Sequence, residues 1–259
     1  TSKFEELISP LKPIFQKDNF SHEDVKEKPP LRSELFTIEQ LEQHAQQLAH
    51  SHHITHEQLP EQLLKRLSDN EDILFSTIKL LQQNIKEKKS ISPAAEWLLD
   101  NFYLIEEEIL LGERYLPKGY SKGLPKLSSG KHKGLPRVYD IAIEIISHSD
   151  GHVDINSLSS FISSYQKISY LTLGELWAVP IMVRLALLEN LSRVAIQIAL
   201  DRNDSALANR WANEIIDVTE KNPKDLVLII ADMARSNPPI TSAFVGEFAR
   251  KLQWKGSEL

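Results

Sequence analysis

The sequence predicts an all-α fold, a multi-helix bundle or short helical solenoid of about ten helices with no sheet. Three observations carry this. Apolar residues recur at spacings of three and four along most of the chain, and almost no segment alternates with period two. Only nine of the 259 residues are glycine, and long stretches contain neither glycine nor proline. Helix-starting residues stand at the head of several apolar runs.

Residues 1–36 are weakly patterned and read as an N-terminal arm. A short helix is predicted over Lys3–Ser9, followed by the charged, proline-punctuated KDNFSHEDVKEKPP. Thr37 with Gln40 three residues on is a capping-box signature, and the helix it opens runs to about His52. Two further helices are predicted, from about Glu57 to Leu67 and from Glu71 to Lys88. Residues 37–90, rich in His, Gln, Glu and Lys, read as a helical subdomain, and 91–259 as the main helical domain.

Ser92 and Pro93 form a cap and a first helical residue. The helix continues through AAEWLLDNFYLIEEEILLGERY, with Trp97, Leu98, Asn101, Leu104, Ile105 and Ile109 on one face. Pro117 and Gly119 end it, and a Gly/Pro-rich loop covers 117–136. Helices are then predicted at 137–148, about 155–167, 173–201, 204–221, 224–236 and 240–253. Asp154 or Asn156, Thr172 with Glu175, and Asp204 are the candidate caps of the second to fourth of these.

Composition excludes several function classes. A net charge of −6 and a pI near 5.9 argue against general nucleic-acid binding. Without cysteine there is no disulfide, zinc–thiolate site or thiol nucleophile. No run reaches the ~18 apolar residues of a membrane span; the best, Leu176–Leu188, is broken by Pro180 and Arg184. No signal peptide opens the chain, and its start at Thr1 and polar end KGSEL suit a piece of something longer.

Ionisable groups inside apolar helices are the most informative feature. Arg184 shares a helical stripe with Trp177, Ile181, Leu188, Leu191 and Ala195. A charge there must be paired, because an uncompensated buried ion is costly. Arg184 and Arg137 are expected to pair with Glu144, Glu175 or one of Glu106–Glu108, Glu107 among them. Such pairs would fix helix register rather than catalyse.

The loop PKGYSKGLPKLSSGKHKGLPRVY is a candidate anion- or partner-binding segment. It carries Lys118, Tyr120, Lys122, Lys126, Lys131, Lys133 and Arg137 and no acid. It matches no phosphate-loop spacing, and reads more simply as a solvated connection that packs Tyr120, Leu124 and Leu127. His44, His50, His52, His53 and His56 cluster, and His52 and His56 stand four apart, but no third metal ligand is evident. No metal site, cofactor or catalytic residue is predicted. Trp97, Trp177, Trp211 and Trp254 read as core, and SHSDGHVD (147–154) as a turn before a cap.

Several phrases in order resemble one family: PAAEWLLDNFYLIEEEI (93–109), LPKGYSKGLPKL (116–127), GLPRVYDIAIEIISHSDGHVD (134–154) and LTLGELWAVPIMVRLALLENL (171–191). The weaker AFVGEFARKLQ (243–253) follows. Together they resemble the N-terminal cytoplasmic region of cyclic β-1,2-glucan synthases, very large bacterial inner-membrane enzymes. The resemblance spans residues 90–255.

It implies a parent enzyme that transfers glucose from UDP-glucose to a growing β-1,2-glucan, with its glycosyltransferase domain and membrane helices downstream. No catalytic residue carries over, because the transferase's aspartate motifs have no place in a helical chain. The implied role is a non-catalytic N-terminal accessory domain, itself soluble, at the cytoplasmic face of the inner membrane. Its implied partner is the downstream transferase domain, with nascent glucan as a second candidate. Two alternatives stand beside this. One is a free-standing helical module that docks an acidic partner or anionic lipid through loop 117–137. The other is a small hydrolase using paired carboxylates.

Overall fold

Capping chemistry sets where the helices begin. Thr37 Oγ1 accepts from the Gln40 N–H at 3.4 Å, and Gln40 Oε1 accepts from the Thr37 N–H at 2.8 Å. Both halves of the capping box therefore close, and α1 (Ile38–Ser51) starts there. The structure, a computed structural model, describes residues 29–55, 57, 60–87, 91–116 and 119–256. The helix expected over Lys3–Ser9 and most of the N-terminal arm lie outside these residues.

After α1 come β1 (Ile54–Thr55), α2 (Leu63–Lys86), α3 (Pro93–Asp100) and α4 (Phe102–Tyr115). A 3-10 turn at Tyr120–Gly123 and β2 (Lys126–Leu127) precede α5 (Arg137–His148) and α6 (Ile155–Gln166). The chain closes with α7 (Leu173–Lys221), α8 (Leu226–Ser236) and α9 (Ser242–Gly256). The described residues are thus mainly α-helical.

The helix expected from about Glu57 begins only at Leu63, and three junctions differ from the sequence expectation, each for a local reason. The Ser68–Glu71 stretch reads as a break, yet α2 runs through it. No glycine or proline stops the helix there, and Asn70 Oδ1 accepts from Ser192 Oγ on α7 at 2.8 Å. Likewise α7 passes through Arg202–Asp204, and Asp204 does not cap a helix. Its buried carboxylate accepts from Thr241 Oγ1 at 2.7 Å, holding the start of α9. Conversely, 93–115 is two helices. Asn101 Nδ2 donates to the Trp97 carbonyl at 2.8 Å, offering the backbone an alternative to continued helix.

The sheet expectation also changes, by one small pairing. β1 and β2 are antiparallel, Ile54 opposite Leu127 and Thr55 opposite Lys126. Ser128 N–H extends the contact to the His53 carbonyl at 2.8 Å. The loop before α5 thereby satisfies its backbone groups against the segment leaving α1.

One hydrophobic cluster draws on α1 to α6 and the first half of α7, so residues of 37–90 and 91–195 share it. Its axis is α5, in which ten of twelve residues are buried. Gly112 lets α4 approach closely, since a Cβ there would meet Leu67 at 3.3 Å and Leu185 at 3.6 Å. The 49-residue α7 extends about 70 Å at 1.5 Å per residue. Its second half builds a smaller cluster, in which Leu207, Ala208 and Trp211 meet Phe244 of α9 and Ile229 and Met233 of α8. Among the described residues no helix is long and apolar enough to cross a membrane.

Candidate functional site

Because α5 is buried nearly all round, each polar side chain on it needs an internal partner. Arg137 donates from Nε to Glu175 Oε1 at 2.5 Å and from Nη2 to Glu175 Oε2 at 2.9 Å. It also reaches Ser169 Oγ at 2.8 Å and the Tyr170 carbonyl at 2.7 Å. Glu175 is held in turn by the Thr172 N–H at 2.8 Å and by Thr172 Oγ1, closing the capping box that starts α7. The Arg137 and Glu175 side chains are 3% and 0% exposed, so the pair is sealed from water.

Tyr139, two residues on, donates its hydroxyl to Glu189. Glu189 also takes both arms of Arg66, Nη2 to Oε1 at 2.7 Å and Nε to Oε2 at 3.1 Å, and is paired with Arg193. Burial alone would raise its carboxyl, but the Arg66 charge and the hydrogen bonds of Arg66 and Tyr139 bring it down to about 2. Burial, with Glu189 beside it, pushes the Tyr139 hydroxyl up.

Asp140 binds two imidazoles, His52 Nε2 at 2.9 Å and His132 Nδ1. A carboxylate only accepts, so the His52 proton sits on Nε2, and in the neutral ring Nδ1 accepts from the Tyr165 hydroxyl at 2.8 Å. Burial would raise Asp140, yet the two histidine hydrogen bonds hold it down at about 2. Although the Asp–His–Tyr order resembles a proton relay, Tyr165 is fully buried and the chain of bonds ends inside the core. Its role here is to lock α5, α1, α6 and the loop before α5 together.

The ionic residues read from the sequence are thus distributed unequally. Arg184 pairs with Glu108, and the two side chains are 34% and 43% exposed, so this pair lies at the edge of the core and not within it. Glu107 is exposed. At 100° per residue, Glu108 sits beside the inward Ile105 and Ile109, whereas Glu107 points away. Glu144 meets His44 at 2.9 Å, and neither arginine. Tryptophan placement is corrected too. Trp97 and Trp177 are 56% and 74% exposed and Trp211 is buried, while the Trp254 side chain lies outside the described residues. On α7 the core takes Ile181, Leu185, Leu188 and Ala195, leaving Trp177 one step round the helix.

The basic loop is likewise split. Lys118 and His56 lie outside the described residues. Lys122, Lys131 and Lys133 are exposed and Tyr120 is half-buried. Lys126 is buried, with Nζ on the Pro60 carbonyl at 3.3 Å; burial pulls its ammonium below the ordinary lysine range. Arg137 is committed to Glu175. Glu61 accepts from the Gly119 N–H at 2.9 Å, made possible by the positive φ of that glycine, and from Ser121 Oγ at 3.1 Å. Among the described residues of the loop, an anion would therefore meet Lys122, Lys131 and Lys133 but not Lys126 or Arg137.

Burial leaves a different surface open. On α7, Leu173, Trp177, Pro180, Arg184, Leu187 and Leu191 follow one another at spacings of four and three, which places them on one face. Leu173 is 62% exposed, and Leu104 of α4 is exposed beside Pro180, Arg184, Leu187 and Leu191. Between α4 and α7 lies a groove of about 370 Å³. It is apolar apart from the Arg184–Glu108 pair, and no histidine or hydroxyl lines it. Such a groove can bind; it brings no acid–base pair or nucleophile to a substrate.

No protein-family model matches the chain. Among curated proteins it is similar to the cyclic beta-(1,2)-glucan synthase NdvB of Rhizobium meliloti (strain 1021), 33% identical over 162 residues. The chain is similar to a region of a glucan synthase. The match covers 62% of this chain but 6% of the relative, so the chain spans a small part of that protein's length.

The Tyr139–Glu189–Arg66 cluster and the Asp140 histidines escaped the sequence reading. A signal existed. Tyr139 and Asp140 stand directly before Ile141, Ala142, Ile143, Ile145 and Ile146, interrupted by Glu144 alone, and apolar residues round most of the helix mark it as buried.

Proposed function

We propose that the chain is a non-catalytic accessory region of a cyclic β-1,2-glucan synthase, lying at its N-terminal, cytoplasmic side. Its α4–α7 face docks the glycosyltransferase part of the same polypeptide, which transfers glucose from UDP-glucose. The observation that carries this is the exposed stripe Leu173–Trp177–Pro180–Leu187 beside an apolar groove. Contiguous exposed apolar surface of this kind marks a contact site. The similarity to a short stretch of a much longer synthase supports a partner within the same chain. Trp177 is the natural anchor, being large, rigid and uncovered.

Trp177→Asp combined with Leu187→Asp in the full-length enzyme tests this. Glucan synthesis from UDP-glucose should fall by roughly tenfold or more, the loss expected when an interface anchor is removed. Melting of the 259-residue chain should be unchanged, because both side chains are outside the core. Unaltered synthesis would contradict docking through this face. Turnover of UDP-glucose by the 259-residue chain alone would contradict a non-catalytic role.

A further inference from the structure

A separate cluster lies where α1 meets the end of α5. His44, Glu144 and His148 place one candidate ligand atom each within 4.8 Å of one another. His44 Nε2 stands 2.9 Å from Glu144 Oε2, and His148 Nε2 stands 3.7 Å from the same oxygen. A tetrahedral ion with bonds near 2.0–2.1 Å separates its ligands by roughly 3.3 Å, between these two values. We infer that these three residues form a binding site for one divalent transition-metal ion of the zinc type.

Without an ion, His44 Nε2 donates a hydrogen bond to Glu144, and a bound metal would take the place of that proton. His148 Nδ1 lies 2.8 Å from the Glu34 carbonyl, which only accepts, so Nδ1 donates there and, in the neutral ring, Nε2 is the nitrogen free to take a metal. Phe36 stacks on the His148 ring at 3.9 Å with the planes 8° apart, and packs edge-on to His44 at 5.5 Å. Both imidazoles are therefore held before any ion arrives. Glu144 and His148 are four apart on one helix, so their side chains leave the same face. All three residues are half-buried, which leaves a fourth position open to water or another ligand. Two imidazoles and a carboxylate suit zinc or cobalt rather than calcium or magnesium, which prefer all-oxygen sets. Nothing in this site depends on the chain's relation to a synthase.

Metal titration of the chelator-stripped protein decides the matter, with zinc followed by calorimetry and cobalt by its visible absorption. One equivalent should bind, with d–d bands of a four- or five-coordinate cobalt ion. His44→Ala and His148→Ala should each weaken binding by roughly a hundredfold or more. Glu144→Gln, which keeps the shape and a hydrogen-bonding oxygen, should also weaken it while melting like the parent. His50→Ala and His53→Ala serve as controls and should leave it intact. Absence of stoichiometric uptake, or uptake insensitive to the His44, Glu144 and His148 changes, would overturn the site.

Discussion

Glu175→Leu should destabilise the protein by about 3–5 kcal/mol, the cost of leaving one member of a buried ion pair without its partner. The Arg137 guanidinium would stay behind at 3% side-chain exposure, with Ser169 and the Tyr170 carbonyl as its remaining acceptors. The capping box at Thr172 would open as well, costing about 1 kcal/mol more. For a chain of this size the melting temperature should fall by on the order of 10 °C. Arg137→Met together with Glu175→Leu should recover much of the loss, because an apolar pair carries no desolvation penalty. Urea denaturation of the two single variants and the double variant measures this. A Glu175→Leu loss below about 1 kcal/mol would mean that water reaches the pair.

Acid should produce the second large effect. Asp140 and Glu189 each titrate near 2 in the folded chain, against ordinary values of 3.8 and 4.5. Between those limits the unfolded chain binds more protons than the folded one, so stability rises with pH. Both contributions are fully present above about pH 4.5 and are lost as pH falls toward 2. At about 1.4 kcal/mol per pKa unit, the two carboxylates are worth roughly 2–3 and 3–4 kcal/mol respectively. Glu175, also held below its ordinary range by Arg137 and Thr172 despite its burial, adds in the same direction. Unfolding free energy measured from pH 6 to pH 2.5 should fall steeply below 4.5, and Glu189→Gln should flatten part of the slope. A free energy constant over that range would show that the carboxylates are not held by their partners.

The helical class was legible because it rests on local signals. Period, scarcity of glycine and the Thr37–Gln40 and Thr172–Glu175 pairs are written within a few residues of one another. Helix junctions were less so. Ser68–Glu71 and Arg202–Asp204 contain good capping residues, but Asn70 and Asp204 bond to distant helices. Partner choice was the least legible. Arg137 and Arg184 had five acids to choose from, and the choice depends on which faces of α4, α5 and α7 meet. Arg66 reaches Glu189 across 123 residues, a distance that no local pattern encodes. The groove was hidden for a related reason. The apolar stripe of α7 is wider than the core it fills, and sequence alone does not say which edge is left uncovered. Trp177 lies on that edge.

Docking of this edge against the rest of the polypeptide is tested most directly by hydroxyl-radical footprinting, which reads side-chain exposure. Trp177 is 74% exposed in the 259-residue chain and should be oxidised readily there. In the longer polypeptide proposed above it should be strongly protected, while the exposed Tyr170 outside the groove continues to react. Equal oxidation of Trp177 in the two proteins would contradict docking through the α4–α7 face.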